Sequence, residues 1–411
     1  MEEIELFTEI TLDRRPDVIK FWPHDDQYAV VGTYTLLDGE SSEQDEPVSQ
    51  RRVGSLNLIQ VKDDNITIHS LDLRALTKLS TVIQSFPTPF GVYDLHFAPI
   101  EEIRDGKEYP GLFAVASSTG SVAIYRLVPS ERDDATFPYP KICHRYTIQY
   151  FSTDILITSL DWRRHDLVAM TLSSGQVCLG KVRDPSGNPI ASAELMQHDF
   201  QAWHCSFVVS KDTSETGLGL ISGGDDATLR FTPVEADHIL DLGPVDSETN
   251  SLPAIPWADR KIHQAGVTAV MPIGNTSTGH LVITGSYDDH IRLLHIPNIG
   301  RREVLAEYYL EGGVFRIKLA AQRGESNPGS SENEQSYALI VSCMQAGARI
   351  VNLNKTRGGW RFDVRAKFEK NAGTLLYSSD CQFADADGRR TIVSTSFEDH
   401  KLYLWKAVVS P

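Results

Sequence analysis

One phrase recurs along this chain with small variations. Residues 221–230 read Ile-Ser-Gly-Gly-Asp-Asp-Ala-Thr-Leu-Arg, and residues 283–292 read Ile-Thr-Gly-Ser-Tyr-Asp-Asp-His-Ile-Arg. Residues 394–405 return to it as Ser-Thr-Ser-Phe-Glu-Asp-His-Lys-Leu-Tyr-Leu-Trp. Every copy is an apolar run, small residues, an acidic tight turn and a second alternating run, which is the pattern of a β-hairpin. A unit of this kind cannot bury its apolar faces alone, so copies must stack on one another. Closing the stack into a ring leaves no long sheet edge unprotected. The repeat therefore predicts a β-propeller.

Short strands bounded by turn residues mark seven blades, so the predicted class is all-β: a seven-bladed WD40 β-propeller forming one domain over residues 1–411. The expected first strands are Asp17–Trp22, Gly91–Phe97, Ile155–Trp162, His204–Val209, Val267–Pro272, Val314–Leu319 and Leu376–Phe383. Two more strands follow each, as Leu281–Ser286 and Ile291–Ile296 do in blade five. Blade one carries an outer strand at Ile66–Leu71, and the other outer strands are expected in the connections between blades. Ile4–Thr11 alternates and is the expected closing strand of the last blade. Three segments read as loops: Asp38–Gln50, Asp237–Trp257 and Gly324–Gln335, the first and last of them polar enough to be flexible.

Composition narrows the function classes. With 411 residues and 41% hydrophobic content the chain can bury a large core, and a propeller uses such a length as one closed unit. A formal net charge of −16 argues against nucleic acid as a partner and leaves two readings, solubility or attraction of a cationic substrate. Five scattered cysteines with no C-x-x-C spacing suggest reduced thiols, hence a cytoplasmic protein. The first residues lack the basic and apolar regions of a signal peptide, and no run is long enough to span a bilayer, so no membrane association is expected. A monomer is expected.

The turns hold the candidate chemistry. In such a blade the turn aspartate binds a histidine from the preceding connection, so Asp226, Asp288, Asp399 and His263 read as a structural turn network. Their neighbours are less regular. Asp289 and His290 follow Asp288, and His400 follows Asp399; both histidines sit beside acids on equivalent loops, a constellation suited to acid–base work or to plain surface decoration. Gly312-Gly313 replace the usual histidine before blade six, and the Gly313 N–H with Arg316 could receive an oxyanion, or else form only a tight turn and a surface arginine. Tyr287, Phe315, Phe397 and Trp203 flank the same loops, where aromatic rings either pack the blades or box a quaternary ammonium. Cys343 reads as a small buried thiol rather than a nucleophile. No metal-ligand spacing, G-x-S-x-G elbow or phosphate-binding glycine loop is present, so a hydrolase here needs a site improvised on the propeller rim.

Several segments in order resemble the diphthine methylesterase family, also filed as diphthine methyltransferase, WD-repeat proteins of diphthamide biosynthesis. They are His198-Asp-Phe-Gln-Ala-Trp203, Ser222 to Asp226, His263 to Val267, Thr284 to His290, Gly312 to Lys318, Cys343-Met344 with Gly347, and Ser396 to His400 leading to Trp405. Phe315 and Leu294 stand where the family shows Trp, swaps that keep apolar bulk. The resemblance implies hydrolysis of the carboxyl methyl ester of methylated diphthine on translation elongation factor 2, yielding diphthine and methanol without a cofactor. That substrate carries a trimethylammonium group. The mechanism expected from the residues has His290 or His400 activate water, oriented by Asp289 or Asp399, with Gly313 and Arg316 receiving the oxyanion. The rival expectations are a non-catalytic WD-repeat scaffold and a ubiquitin-ligase substrate receptor.

Overall fold

A computed structural model describes residues 4–37, 51–62, 65–68, 84–99, 111–129, 139–164, 166–182, 192–209, 218–234, 255–323, 335–370 and 374–411. Every regular element in it is a β-strand, and the strands form seven antiparallel sheets. The innermost strands, in blade order, are Arg15–Phe21, Val92–Phe97, Ile157–Arg164, Ala202–Val209, Val267–Thr276, Arg316–Arg323 and Leu376–Cys381. Each touches the next, and the seventh touches the first, so the sheets close a ring. The ring is closed by the N-terminal strand: Glu5–Thr11 pairs with Lys401–Val408 and becomes the outer strand of blade seven.

Alternation along the strands builds the core. Successive side chains of a strand point to opposite faces, and here both faces are covered by a neighbouring blade. In blade two, Phe113 and Val115 face blade one while Ala114 and Ala116 face blade three. In blade one, Val18, Val30 and Leu58 face blade two, whereas Ile19, Val31 and Ile59 face blade seven. The buried apolar residues accordingly fall into seven clusters, one between each pair of adjacent blades. Blades approach so closely that a Cβ on Gly285 would lie 2.3 Å from Val314 of the next blade.

Carboxylates on the innermost strands link the blades. Asp94 accepts from Leu160 N at 3.1 Å, Asp161 from Phe207 N at 2.9 Å and Asp380 from Phe21 N at 2.8 Å. Each acid thereby satisfies a backbone donor of the following blade that the sheet ladder leaves free.

The seven-blade expectation agrees with this architecture, with adjustments at the strand ends. Blade one has two outer partners for its third strand: Asn65–Ile68, and also Gln84–Thr88, which the sequence reading omitted. Five further outer strands lie in the connections, at Lys141–Gln149, Ser192–Gln197, Trp257–Asp259, Glu303–Tyr309 and Gly359–Phe368. Trp257 thus opens a strand rather than ending a loop, because its ring stacks on Phe231 at 5.8 Å. Blade six begins two residues later than expected, at Arg316, and the innermost strand of blade seven stops at Cys381, leaving Phe383 exposed. The segments 38–50, 237–254 and 324–334 of the expected loops lie outside the described residues.

Trp405 locks the last blade. It is fully buried, stacks on Phe368 at 4.8 Å and donates from Nε1 to Ser394 Oγ at 3.0 Å. Trp405→Ala should cost about 3–5 kcal/mol in denaturant-induced unfolding, with an orphaned Ser394 hydroxyl adding to the cavity.

Candidate functional site

The innermost strands share a defect. Register shifts leave one extra residue unpaired in six of them, at Asp17, Tyr93, Thr158, Trp203, Thr268 and Tyr377. In blade six, Phe315 occupies the corresponding place just before the first paired residue. A β-bulge bends its strand and re-aims the extra side chain. All seven of these side chains line one pocket of about 100 Å³ on the propeller axis, to which every blade contributes.

Aromatic rings form an arc around this pocket. Trp203 meets Tyr287 and Phe315 edge-on at 6.0 Å, Phe315 meets Tyr377 at 4.7 Å, and Tyr34 stacks on Tyr93 at 4.8 Å. Phe397 bridges the two halves from behind, 5.1 Å from Tyr377 and 4.9 Å from Tyr34. Trp203 is held in place by its Nε1 donating to Asp225 at 2.8 Å. The two threonine bulges instead serve the neighbouring blades, Thr158 Oγ1 donating to Ala202 O at 2.6 Å and Thr268 Oγ1 to Val314 O. Burial pushes the Tyr93 and Tyr377 hydroxyls up to about 12, so both remain neutral phenols near pH 7.

Beneath the rings lies a charged bed. Arg316 from blade six crosses the axis, donating to Asp94 at 2.7 Å and to Tyr93 O at 2.7 Å, with Asp17 at 3.5 Å. The two acids are driven in opposite directions. Burial pushes Asp94 up, but His96 and Arg316 beside it outweigh that and hold it well below the usual carboxylate range. Asp17 is raised to about 7, because burial and the Asp94 charge together outweigh the attraction of Arg316. His204 is pushed down to about 3 by burial, so its imidazole is neutral near pH 7.

The residues singled out in the sequence are distributed unevenly over this geometry. Trp203, Tyr287, Phe315 and Arg316 line the pocket. Phe397 is buried behind it, with Arg15 over its ring at 5.2 Å. His290, His400 and Asp289 are not among the lining residues. His290 pairs with Tyr309 on the outer strand of its blade, its Nδ1 lies 2.6 Å from Asp288 O and its ring is 5.4 Å from Tyr309. Asp289 and His400 occupy left-handed turn corners at φ of 65° and 60°, and His400 O accepts from Leu12 N of the closing segment. Gly313 sits against the pocket wall, where a Cβ would approach Met344 Sδ at 3.0 Å and Tyr287 at 3.2 Å. Arg316 is not a free oxyanion receptor, since its guanidinium is already shared between two carboxylates.

The turn network also varies by blade. In blade four it is complete: His198, not assigned a role from the sequence, bridges Asp226 at 2.9 Å and Ser222 at 2.8 Å. In blade five His263 reaches Thr284 at 2.9 Å, while Asp288 is taken by Arg292 at 2.9 Å and the His263 Nδ1 is left without a partner. In blade seven Tyr403 donates to Asp399 at 2.6 Å. Blade six substitutes an ion cluster, with buried Arg349 bound to Glu311 at 3.1 Å and Glu369 at 2.9 Å. Cys343 is buried and its thiol is pushed up to about 12, which removes it as a nucleophile. Among the described residues no cluster of metal-ligating side chains occurs, and no helix is long and apolar enough to cross a membrane.

Seven blades, six of four strands and the first of five, stand around an axial pocket and define a WD40 β-propeller. The fold is shared with the WD40 propeller domain of Doa1, at a TM-score of 0.53 over 98% of this chain and 97% of that one with 14% identity. It is shared likewise with Sqt1 from Chaetomium thermophilum, at a TM-score of 0.54 over 96% and 83% with 13% identity. Within that class its curated relatives are proteins named diphthine methyltransferase. The chain is 24% identical to a diphthine methyltransferase homolog of Dictyostelium discoideum over 404 residues, 96% of this chain and 97% of that protein. It is 24% identical to the diphthine methyltransferase of Schizosaccharomyces pombe over 95% of this chain and 94% of the relative. The human diphthine methyltransferase matches 59% of this chain and 46% of its own length at 26% identity. No family model matches the chain.

Asp226 provides a pH test of the turn network. Burial raises its pKa, but hydrogen bonds from His198, Asp199 N and Thr228 N more than reverse this and hold it below the normal range. A depressed folded-state pKa stabilises above the unfolded value of about 4 and is lost as pH falls through the folded value. Asp226→Asn should therefore cost roughly 1–3 kcal/mol at pH 7, and the gap to wild type should shrink below about pH 4, read from urea unfolding at both pH values.

Proposed function

We propose that this protein hydrolyses the carboxyl methyl ester of methylated diphthine on translation elongation factor 2, releasing methanol in the course of diphthamide biosynthesis. The observation that carries the reading is the aromatic arc above a buried carboxylate on the propeller axis. The modified side chain bears a trimethylammonium group beside its ester, and aromatic faces hold quaternary ammonium by cation–π attraction. A pocket of about 100 Å³ admits a head group and not a drug-sized ligand, which needs roughly 300–1,000 Å³. That size suits a side chain presented by a protein docked on the propeller face. The net charge of −16 favours the approach of a cationic group. The full-length relatives named diphthine methyltransferase support diphthine as the substrate.

A scaffold would use the same face for docking alone, and turnover separates the two readings. Purified protein should convert elongation factor 2 bearing methylated diphthine with release of methanol and loss of one methylene equivalent of mass. A folded protein that binds the factor and releases no methanol would favour the scaffold. Trp203→Ala should raise KM about tenfold, a loss of about 1.4 kcal/mol that lies within the cation–π range. The double variant His290→Ala, His400→Ala should keep kcat within about threefold of wild type, because neither residue lines the pocket. A collapse of kcat in that variant would return water activation to the turn histidines.

A further inference from the structure

Asp17 was not marked by the sequence as a site residue, yet it lines the pocket. It is the bulge residue of blade one, the only acidic side chain among the six bulges and the equivalent Phe315. Its backbone is fixed from the neighbouring blade, Thr395 Oγ1 donating to Asp17 O at 3.2 Å. The groups facing it are Arg316 from blade six, Asp94 and Tyr93 from blade two, Tyr34 from its own blade, Tyr287 from blade five and Tyr377 from blade seven.

We propose that the Asp17 carboxylate is the general base that activates water against the ester, with Arg316 as its positioning partner. This assignment rests on the ester-hydrolysis reading above. In the step, Asp17 takes a proton from water as the water oxygen bonds to the ester carbonyl carbon. The tetrahedral intermediate then collapses, the carbon–methoxy bond breaks and Asp17 returns the proton to the departing methoxy oxygen. Methanol leaves, and the product acid loses its own proton to solvent, so atoms and charge balance.

Asp94, the other acid of the pocket, is unsuited to this role. It is bound to Arg316 at 2.7 Å, to His96 at 3.3 Å and to the backbone N–H of Leu95 and Leu160 at 3.0 and 3.1 Å. Those partners hold it ionised far below neutrality, where a carboxylate is a feeble base. His204 is buried in a neutral form that resists protonation. Asp17, raised to about 7, combines a substantial ionised fraction with real basicity at neutral pH.

The test uses the full chain and elongation factor 2 carrying methylated diphthine, with methanol as readout. Asp17→Asn should lower kcat at least about 100-fold with little change in KM, within the range expected for loss of a general base. Wild-type kcat/KM should rise with pH through about 7, as the base ionises, and this profile needs no variant to fold. Tetramethylammonium binding, followed by calorimetry, should persist in Asp17→Asn within about threefold, since the rings supply most of the contact. Retention of more than about a tenth of wild-type kcat in that variant overturns the assignment. So does a flat wild-type profile across neutral pH, or loss of tetramethylammonium binding with kcat preserved, which would make Asp17 a counter-charge only. No methanol from wild type overturns the ester-hydrolysis reading itself.

Discussion

Burial of every blade on both faces is the constraint from which the rest of this structure follows. A sheet with two apolar faces has no stable existence alone, so each blade needs a neighbour on either side, and only a closed ring gives every blade two. Seven clusters of alternating residues meet that requirement, and the pairing of Glu5–Thr11 with Lys401–Val408 completes the seventh sheet. The wedge shape of the interfaces crowds the innermost strands together. There the chain uses Asp94, Asp161 and Asp380 to bond backbone donors of the next blade, so polar links reach closest to the axis.

Convergence at the axis is also what makes a site. No single strand could assemble an arc of six aromatic side chains, but four re-aimed residues on four blades can, joined by Tyr34 and Tyr287. Each bulge gives up regular pairing and gains a side chain directed at the mouth of the channel. The choice of residue then divides the labour: threonines at Thr158 and Thr268 stitch adjacent blades, and aromatics at Tyr93, Trp203, Phe315 and Tyr377 wall the pocket. Arg316 ties blade six to Asp17 and Asp94 of blades one and two across the opening. A buried ion pair of this kind adds little net stability after desolvation, so its main consequence is positional. It fixes where charge sits in the pocket.

The fold was legible because period-two alternation recurs blade after blade and the acidic turn returns three times, at Asp226, Asp288 and Asp399, so a local error in one blade leaves the count intact. Outer strands such as Lys141–Gln149 were not, since they lie at solvent-facing edges where polar and apolar residues mix. At the site, Trp203, Tyr287 and Phe315 were found because they adjoin the recurring turns. Asp17 and Tyr93 were missed because a bulge inserts a residue that breaks alternation and reads as noise. A signal was present nonetheless. Val92-Tyr93-Asp94, Ile157-Thr158-Ser159, Ala202-Trp203-His204, Val267-Thr268-Ala269 and Leu376-Tyr377-Ser378 each set a buried apolar residue before the odd one. His290 and His400 attracted notice as irregular residues at the turns, but neither lines the axial pocket: His290 pairs with Tyr309 of the outer strand, and His400 O accepts from Leu12 N of the closing segment.

The two pocket acids show how one environment separates two roles. Asp94 is held ionised by Arg316 and His96, so Asp17 is the pocket acid whose charge can still change near neutral pH. Burial leaves that carboxyl near the midpoint of its titration at neutral pH. A trimethylammonium entering the aromatic arc adds a positive charge beside it and displaces water, and the added charge favours the ionised carboxylate. On the proposed reading the substrate therefore raises the fraction of active base when it binds. A neutral analogue of the same shape would lack that effect. Selectivity for the charged head group would then be expressed in the chemical step as well as in binding, which is how binding energy raises a rate and not merely an occupancy.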